Sequence, residues 1–378
     1  MIFSKNCFSK AVIFFCIALV YLSGCATTNG PEEASPFMSG SGADEKQIHI
    51  AVLPLDNMSR TAAPLKEIRQ LLLDGLRQQG IAVLNEEILE SFMLRHRLRY
   101  TGSINMMEAQ TLKEETGAEA VLITSLELYD EIYPPKVALM SRLVSTGDNQ
   151  IILWMDSIGL AGDDSPGILG LGLIKDPQTL LKKALQHLTG SLTGYLSDNR
   201  EVAIEKGRRK FKPKISYQSP VIASDMKYTI AVIPLFNRSG RKYAGDIMML
   251  HFVKHLRAFK YFNVIEPGIV RQSLLRWRVI MYEGLSLANT DLIFGRLDAD
   301  LILTGMVMDY QDYHGFSIKP KVVFSTQLIE RKSREVVWSS NSNNKGDDGV
   351  FFFDWGSVNM THTMASQMVR SVVEMIAE

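Results

Sequence analysis

The chain has 378 residues, 46% of them apolar and 22% charged, with 41 basic side chains against 41 acidic ones. That length suits two or three domains of ordinary globular composition. A formal net charge of zero excludes a chain built globally around a polyanion, and three cysteines confined to positions 7, 16 and 25 exclude a disulfide framework for the body.

Lys5 and Lys10 precede an apolar run, Ala11 to Tyr21, of signal-peptide length and too short for a comfortable transmembrane helix. The run ends in Leu22-Ser23-Gly24-Cys25, which resembles the bacterial lipobox. That resemblance implies cleavage before Cys25, diacylation of its thiol and acylation of its amine. Several acyl chains at about 0.8 kcal/mol per buried CH₂ give firm anchoring. Ala26, in place of Asp, resembles the outer-membrane sorting pattern. The mature chain then starts at Cys25 with no other thiol, which suits an oxidising periplasm. Residues 1–24 are expected to be a signal peptide and 25–46 a lipid-anchored tether. Thr27 to Lys46 supports the tether, with Pro31, Pro36, Gly40 and Gly42 and no apolar periodicity.

A first α/β domain is expected over 47–199. Ile48–Leu55 reads as a buried strand ending near Pro54. A helix follows from Pro64 to Gln79, with Leu65, Ile68, Leu72 and Leu76 as its apolar stripe and Arg69, Asp74 and Arg77 outward. Gly80 is a natural stop. Ile81–Leu84 reads as a short strand, Glu86–Arg97 and Asn105–Thr116 as helices, and Ala120–Leu128 as a third strand. Lys136–Ser145 and Gln150–Ile158 flank the turn Thr146-Gly147-Asp148-Asn149, a hairpin signal. A Gly-rich loop spans Gly159–Ile174. A last helix, Pro177–Leu196, lines up Leu181, Leu185, Leu188, Leu192 and Leu196.

The order then recurs. Ile50-Ala51-Val52-Leu53-Pro54-Leu55 returns as Ile230-Ala231-Val232-Ile233-Pro234-Leu235, and Asn57-x-Ser59 as Asn237-x-Ser239. Leu94-Arg95-His96-Arg97 aligns with Leu275-Arg276-Trp277-Arg278, and Pro135-Lys136-Val137 with Pro320-Lys321-Val322. Trp154 matches Trp338, and Gly162-Asp163-Asp164 matches Gly346-Asp347-Asp348. The offset drifts only between 180 and 185. This implies a tandem duplication, with a second α/β domain over 226–378. The expected fold is α/β: two tandem β-α-β-α-α-β-β-β-α modules, each a mixed sheet with helices packed on it. Residues 200–225 read as a basic interdomain linker, with Lys206 to Lys214 as its charged run. That run is a solvated linker or an electrostatic contact with anionic headgroups.

No Gly-x-Ser-x-Gly, HExxH, P-loop or CxxC is present. His251 and His255 lie one helical turn apart, half of a metal site at most. No third ligand is near in sequence, Lys254 disfavours a cation, and the matching helix of the first unit has no histidine. They read as a solvated polar face, and no metal or cofactor is expected. Asp163-Asp164 and Asp347-Asp348 lack the alternating oxygen ligands of a Ca²⁺ loop and read as turn residues. Arg95 and Arg97, like Arg276 and Arg278, diverge on a helix and make no joint anion site. Trp154 and Trp338 are expected in the core. Two apolar loops stand at matched places after Asp-Asp: Gly167, Leu169 and Leu171 in the first unit, and Phe351, Phe352, Phe353 and Trp355 in the second. They are the candidate partner-binding residues.

The Ile-Ala-Val-Leu-Pro-Leu strand, the helix after it, Leu-x-x-x-Arg near a glycine, and Gly117-Ala118-Glu119-Ala120-Val121-Leu122 together resemble the periplasmic α/β module of the curli-secretion lipoprotein CsgG. They are similar, more distantly, to the amino-terminal domain of TolB and to the penicillin-binding-protein activator LpoB. The resemblance covers about two thirds of the chain. It implies a non-catalytic outer-membrane lipoprotein facing the periplasm. Such a protein acts through other envelope proteins as an assembly or secretion accessory, with a second copy of the chain as a further candidate partner and no nucleic acid expected. An alternative is a CsgG-like oligomeric secretion channel, and a weaker one a periplasmic enzyme. CsgG-type pores need strand pairs that cross the membrane, and the candidate strands here carry Lys136, Arg142 and Asp156, or Lys321, Gln327 and Glu335.

Overall fold

The computed structural model describes residues 48–164, 172–198, 211–220, 226–279, 284–312, 319–350 and 356–378. Cys25, the tether, Gly167, Leu169, Leu171, Phe351, Phe352, Phe353, Trp355 and the basic residues 206–210 lie outside them.

The first half opens with β1 (Ile50–Val52) and β2 (Asp56–Asn57). Both run parallel to β3 (Ala120–Asp130). Pro54 lies between them and has no N–H to give the ladder, which breaks the expected single strand in two. The Asn57-x-Ser59 signature closes the next turn: Asn57 Oδ1 accepts from Ser59 N at 3.0 Å and Asn57 Nδ2 donates to Thr61 O at 3.0 Å. Helices α1 (Leu65–Gln78), α2 (Glu86–Arg95) and α3 (Met106–Thr116) follow. Asn105 and Glu108 form a capping box at the start of α3, and Gly117 ends it in the left-handed conformation at φ 74°. The expected strand at 81–84 is reduced to one bridge, Ile50 to Val83. Strands β3, β4 (Lys136–Ser145) and β5 (Ile152–Ala161) form an antiparallel meander, and α4 (Pro177–Asp198) returns across it. The first sheet thus has five strands in the order β1-β3-β4-β5, with β2 also on β3.

The second half repeats this order. It runs through β7 (Tyr228–Val232), β8 (Phe236–Asn237), α5 (Ala244–Arg257), β9 (Phe262–Val264), α6 (Pro267–Arg276), α7 (Leu287–Leu297), β10 (Leu301–Gln311), β11 (Lys321–Glu330), β12 (Val336–Lys345) and α8 (Thr361–Ile376). Pro234 splits β7 from β8 as Pro54 splits β1 from β2, and Asn237 closes the same turn on Ser239 and Arg241. One strand precedes these: β6 (Lys214–Gln218), in the segment read as linker, pairs antiparallel with β12. The second sheet therefore has seven strands, ordered β6-β12-β11-β10-β7-β9 with β8 on β10. Phe211, at the entry to β6, is buried in the core of this half.

Each sheet carries two helices on one face. Ile50, Val52, Leu122, Leu139, Leu143 and Trp154 meet α1 and α4 through Leu72, Leu76, Leu181, Leu185 and Leu188. In the second half Ile230, Leu303, Phe324, Leu328 and Trp338 meet α5 and α8 through Phe252, Leu256, Met368 and Val372. The other pair of helices covers only one end of the opposite face: α2 and α3 over Ala51, Leu53 and Val121, and α6 and α7 over Ala231, Ile233 and Ile302. Both expected core tryptophans are buried. Residues 47–378 belong to one compact unit.

Candidate functional site

Strand β4 is buried along its whole length, whereas its counterpart β11 alternates between buried and accessible residues from Lys321 to Gln327. Alternation is what a sheet with one covered face requires. The first sheet is covered twice. Its second face meets α5 and α8 of the other half, and Met140, Ile152 and Met155 join that half's core. Full burial of each such side chain contributes about 1.5–3 kcal/mol. Helix α5 is buried nearly all round, from Ala244 through Leu250 to Leu256, while α1 buries one stripe. The helices α5 and α8 thus lie between the two sheets, and the seam they make with the first sheet is the candidate functional site.

Charge crosses this seam repeatedly. Arg142 on β4 donates through Nε to Glu266 Oε1 at 3.1 Å and through Nη2 to Gly102 O at 2.7 Å. Glu266 also caps α6, its Oε2 accepting from the backbone N–H groups of Gly268 and Ile269. Burial pushes its carboxyl up, although Arg142 and the two cap N–H groups act against that. Lys136 lies 3.3 Å from Asp312, and Lys254 lies 3.0 Å from Asp156 and 2.8 Å from Ser157 Oγ. His187 of α4 is 3.4 Å from the other Asp156 oxygen. Burial opposes ionisation of Asp156, but His187, Lys254 and Ser191 together hold its carboxyl well below the usual range. Arg257 and Arg241 donate to the carbonyl oxygens of Leu153 and Glu127. The three charges that stood out in the candidate membrane strands, Lys136, Arg142 and Asp156, are therefore each met by an opposite charge from the second half.

A second cluster lies deeper. β3 carries a bulge between Leu126 and Leu128, which places Glu127 in the seam with 2% side-chain exposure. Its Oε2 lies 2.5 Å from His362 Nδ1 and 3.8 Å from His251 Nε2. Burial alone raises the Glu127 carboxyl, but His362 and His251 outweigh it and leave the group below its ordinary value. Burial pushes the His251 imidazole well below its ordinary value, which leaves it neutral at neutral pH. A cavity of about 640 Å³ opens beside the cluster, bordered by Asp156, His187, Lys254, His255, His362 and Arg370.

The reading of His251 and His255 as a solvated face is corrected here. His251 is fully buried against Glu127 and His362, and His255 Nε2 lies 2.9 Å from Ser366 Oγ. Of the other two members of the His251 cluster, His362 is 111 residues away in sequence and Glu127 comes from the other half, so spacing alone hides both. One signal was present: in Ala244-Gly-Asp-Ile-Met-Met-Leu-His-Phe-Val every side chain from Ile247 to Val253 except His251 is apolar, the pattern of a helix covered on all sides. Arg69, read as outward, is also buried, donating to Val52 O at 3.1 Å and pairing with Glu90. Asp164 and Asp348 accept from the backbone N–H groups of Ala161 and Lys345 and are turn residues. Arg95 pairs with Glu115 at 2.8 Å.

Among the described residues no helix is long and apolar enough to cross a membrane. No family model matches the chain, and no curated protein does. Among solved structures it is similar to a PelC dodecamer subunit from Paraburkholderia phytofirmans, at 17% identity over 43% of this chain and 96% of that one, with a TM-score of 0.30. It is also similar to lipoprotein GNA1162 from Neisseria meningitidis, at 21% identity over 38% of this chain and 98% of that one, TM-score 0.26. A third is the LpoB C-terminal domain from Salmonella enterica, at 17% identity over 30% of this chain and 82% of that one, TM-score 0.26.

Proposed function

We propose that this chain is a non-catalytic, outer-membrane-anchored lipoprotein facing the periplasm, in which two copies of one α/β module, 47–199 and 226–378, form a single protein-binding body. Cys25 carries the lipid, and the partners are other envelope proteins or a second copy of the chain. The observation that carries the reading is the unequal cover of the two sheets. In the first sheet Ala138, Met140 and Arg142 are buried under helices of the other half. At the matching positions of the second sheet Val323 and Ser325 are partly accessible and Gln327 is exposed. The module thus already binds a protein surface within this chain, and it leaves the equivalent surface of its second copy open. Ser325, Gln327 and Asn341 mark that open surface.

A photo-crosslinking side chain placed at Ser325, Gln327 or Asn341 of the acylated protein in its native envelope tests this. The expected result is a discrete protein adduct from these positions and none from Lys182 on the outer side of α4. Equal labelling from both faces, or none, overturns the reading. An adduct of twice the chain mass identifies a second copy as the occupant. The channel reading has less support, because the strand pairs β4–β5 and β11–β12 lie within the two sheets. Conductance of the purified chain in planar bilayers would restore it.

A further inference from the structure

We infer that Glu127, His251 and His362 bind one divalent transition-metal ion, zinc by preference, that clasps the two halves of the chain across the seam. One oxygen and two imidazole nitrogens from these three residues lie within 4.8 Å of one another, and all three residues are buried. They come from three separate elements: the bulge of β3, the middle of α5 and the first turn of α8. Two imidazoles and a carboxylate form a borderline donor set that suits zinc, which accepts tetrahedral nitrogen and oxygen ligands at about 2.0–2.2 Å.

The polar groups point the same way independently. Neither ring nitrogen of His251 has a hydrogen-bond partner, although the residue is fully buried, and Glu127 Oε1 has none. Buried polar groups are nearly always paired, so three such atoms in one cluster mark a missing partner. An ion between His251 Nε2, His362 Nδ1 and the Glu127 carboxylate gives His251 Nε2 the partner it lacks, and a carboxylate bound through both oxygens engages Oε1 as well. The donors need little movement: the 3.8 Å between His251 Nε2 and Glu127 Oε2 is close to the edge of a zinc tetrahedron. His362 Nδ1, at 2.5 Å from the same oxygen, moves apart by less than about 1 Å, and the proton shared between the two atoms is released to solvent as the ion binds. His362 also borders the cavity in the seam, which gives the ion a route in. Arg241, tied to the Glu127 carbonyl oxygen, is the charge that works against a dication there.

The equivalent bulge of the second half, between Val307 and Asp309, carries Met308, which is exposed. The site therefore belongs to the seam and not to the module. Its effect is to link metal binding to closure of the first sheet on α5 and α8.

The test uses the full-length chain in detergent, stripped with a chelator and dialysed against Zn²⁺ alone, with bound metal measured by mass spectrometry. The expected result is one Zn²⁺ per chain and a rise in melting temperature on binding. Co²⁺ in its place should give the intense visible bands of tetrahedral coordination. His251→Gln and Glu127→Gln should each weaken binding by about 100-fold or more, since even outer-shell changes cost 10–100-fold. His96→Gln, outside the seam, should leave binding unchanged. Failure of the unaltered chain to retain Zn²⁺, a pale octahedral Co²⁺ spectrum, or full retention in both cluster variants overturns the inference. If a variant does not fold, the Co²⁺ spectrum of the unaltered chain decides.

Discussion

Arg142 and Glu266 form an ion pair in which both side chains are buried, 3.1 Å apart and contributed by opposite halves of the chain. Removing one member of such a pair leaves the other charge buried without its partner, at a cost of about 3–5 kcal/mol. Arg142→Met is therefore expected to lower the unfolding free energy by about that amount in urea titration. Glu266→Gln should cost less, because the amide oxygen can still cap α6. Arg142→Met with Glu266→Gln should recover most of the loss. Strict additivity of the two single effects would show that the pair is not coupled.

Gly159 on β5 has no room for a side chain on the seam side. A Cβ there would stand 2.7 Å from His362 Cδ2 and 3.2 Å from Thr363 Oγ1. Gly159→Ala is expected to cost about 1–3 kcal/mol through overpacking. Gly147, in the β4–β5 turn, has nothing within 4 Å of its Cβ position. Gly147→Ala should change the melting temperature little. Equal effects of the two substitutions would mean that the seam gives way at Gly159.

Met140 and Ser325 hold matching places on β4 and β11, one covered by the other half and one partly accessible. Met140 has 2% exposure, in the core shared by the two halves. Met140→Ala should cost about 2–5 kcal/mol, the range for emptying a packed site. Ser325→Ala should stay within about 0.5 kcal/mol. Chemical denaturation of the two variants measures the difference directly. A small loss at Met140 would mean the two halves part without cost.

Much of the fold was legible in the residues. The Leu stripe of α4, the Asn-Ser turns, the glycine stop at Gly80 after α1 and the hairpin at Gly147 are local signals, and local hydrogen bonding and periodicity set them. The covering of the first sheet was not legible, because a strand pattern says that a face is apolar and not what lies on it. β4 reads Lys-Val-Ala-Leu-Met-Ser-Arg-Leu-Val-Ser, and its charges looked like marks against a membrane strand. They were marks of a partner: Arg142 stands where β11 has Gln327, and Glu127 where β10 has Met308. A charge present in one half and absent at the matching place of the other is a signal of unequal surroundings. The bulge that exposes Glu127 to the histidines is a backbone irregularity and leaves no trace in side-chain spacing.

His255 sets a pH dependence with a definite sign. Burial, with the nearby charges of Lys254 and Arg370 and the His362 ring, pushes its imidazole down to about 3 from an ordinary 6.5. Above about pH 6.5 the ring is neutral in both folded and unfolded chains, and the group has no effect on stability. As pH falls below that, the unfolded chain takes up a proton that the folded chain refuses. Stability is therefore lost progressively toward the folded value of about 3. Asp156, held low by His187 and Lys254, acts in the same sense at more acidic pH. Glu266 and Asp312 act oppositely. Burial raises both carboxyls, so their contribution is present below the ordinary carboxylate range and is lost as pH rises through the raised values. The histidine contribution separates from these in a variant. The melting temperature of the unaltered chain should fall between about pH 7 and about pH 5, and His255→Gln, which keeps a polar group near Ser366, should flatten that fall. An unchanged slope in the variant would assign the acid sensitivity to other groups.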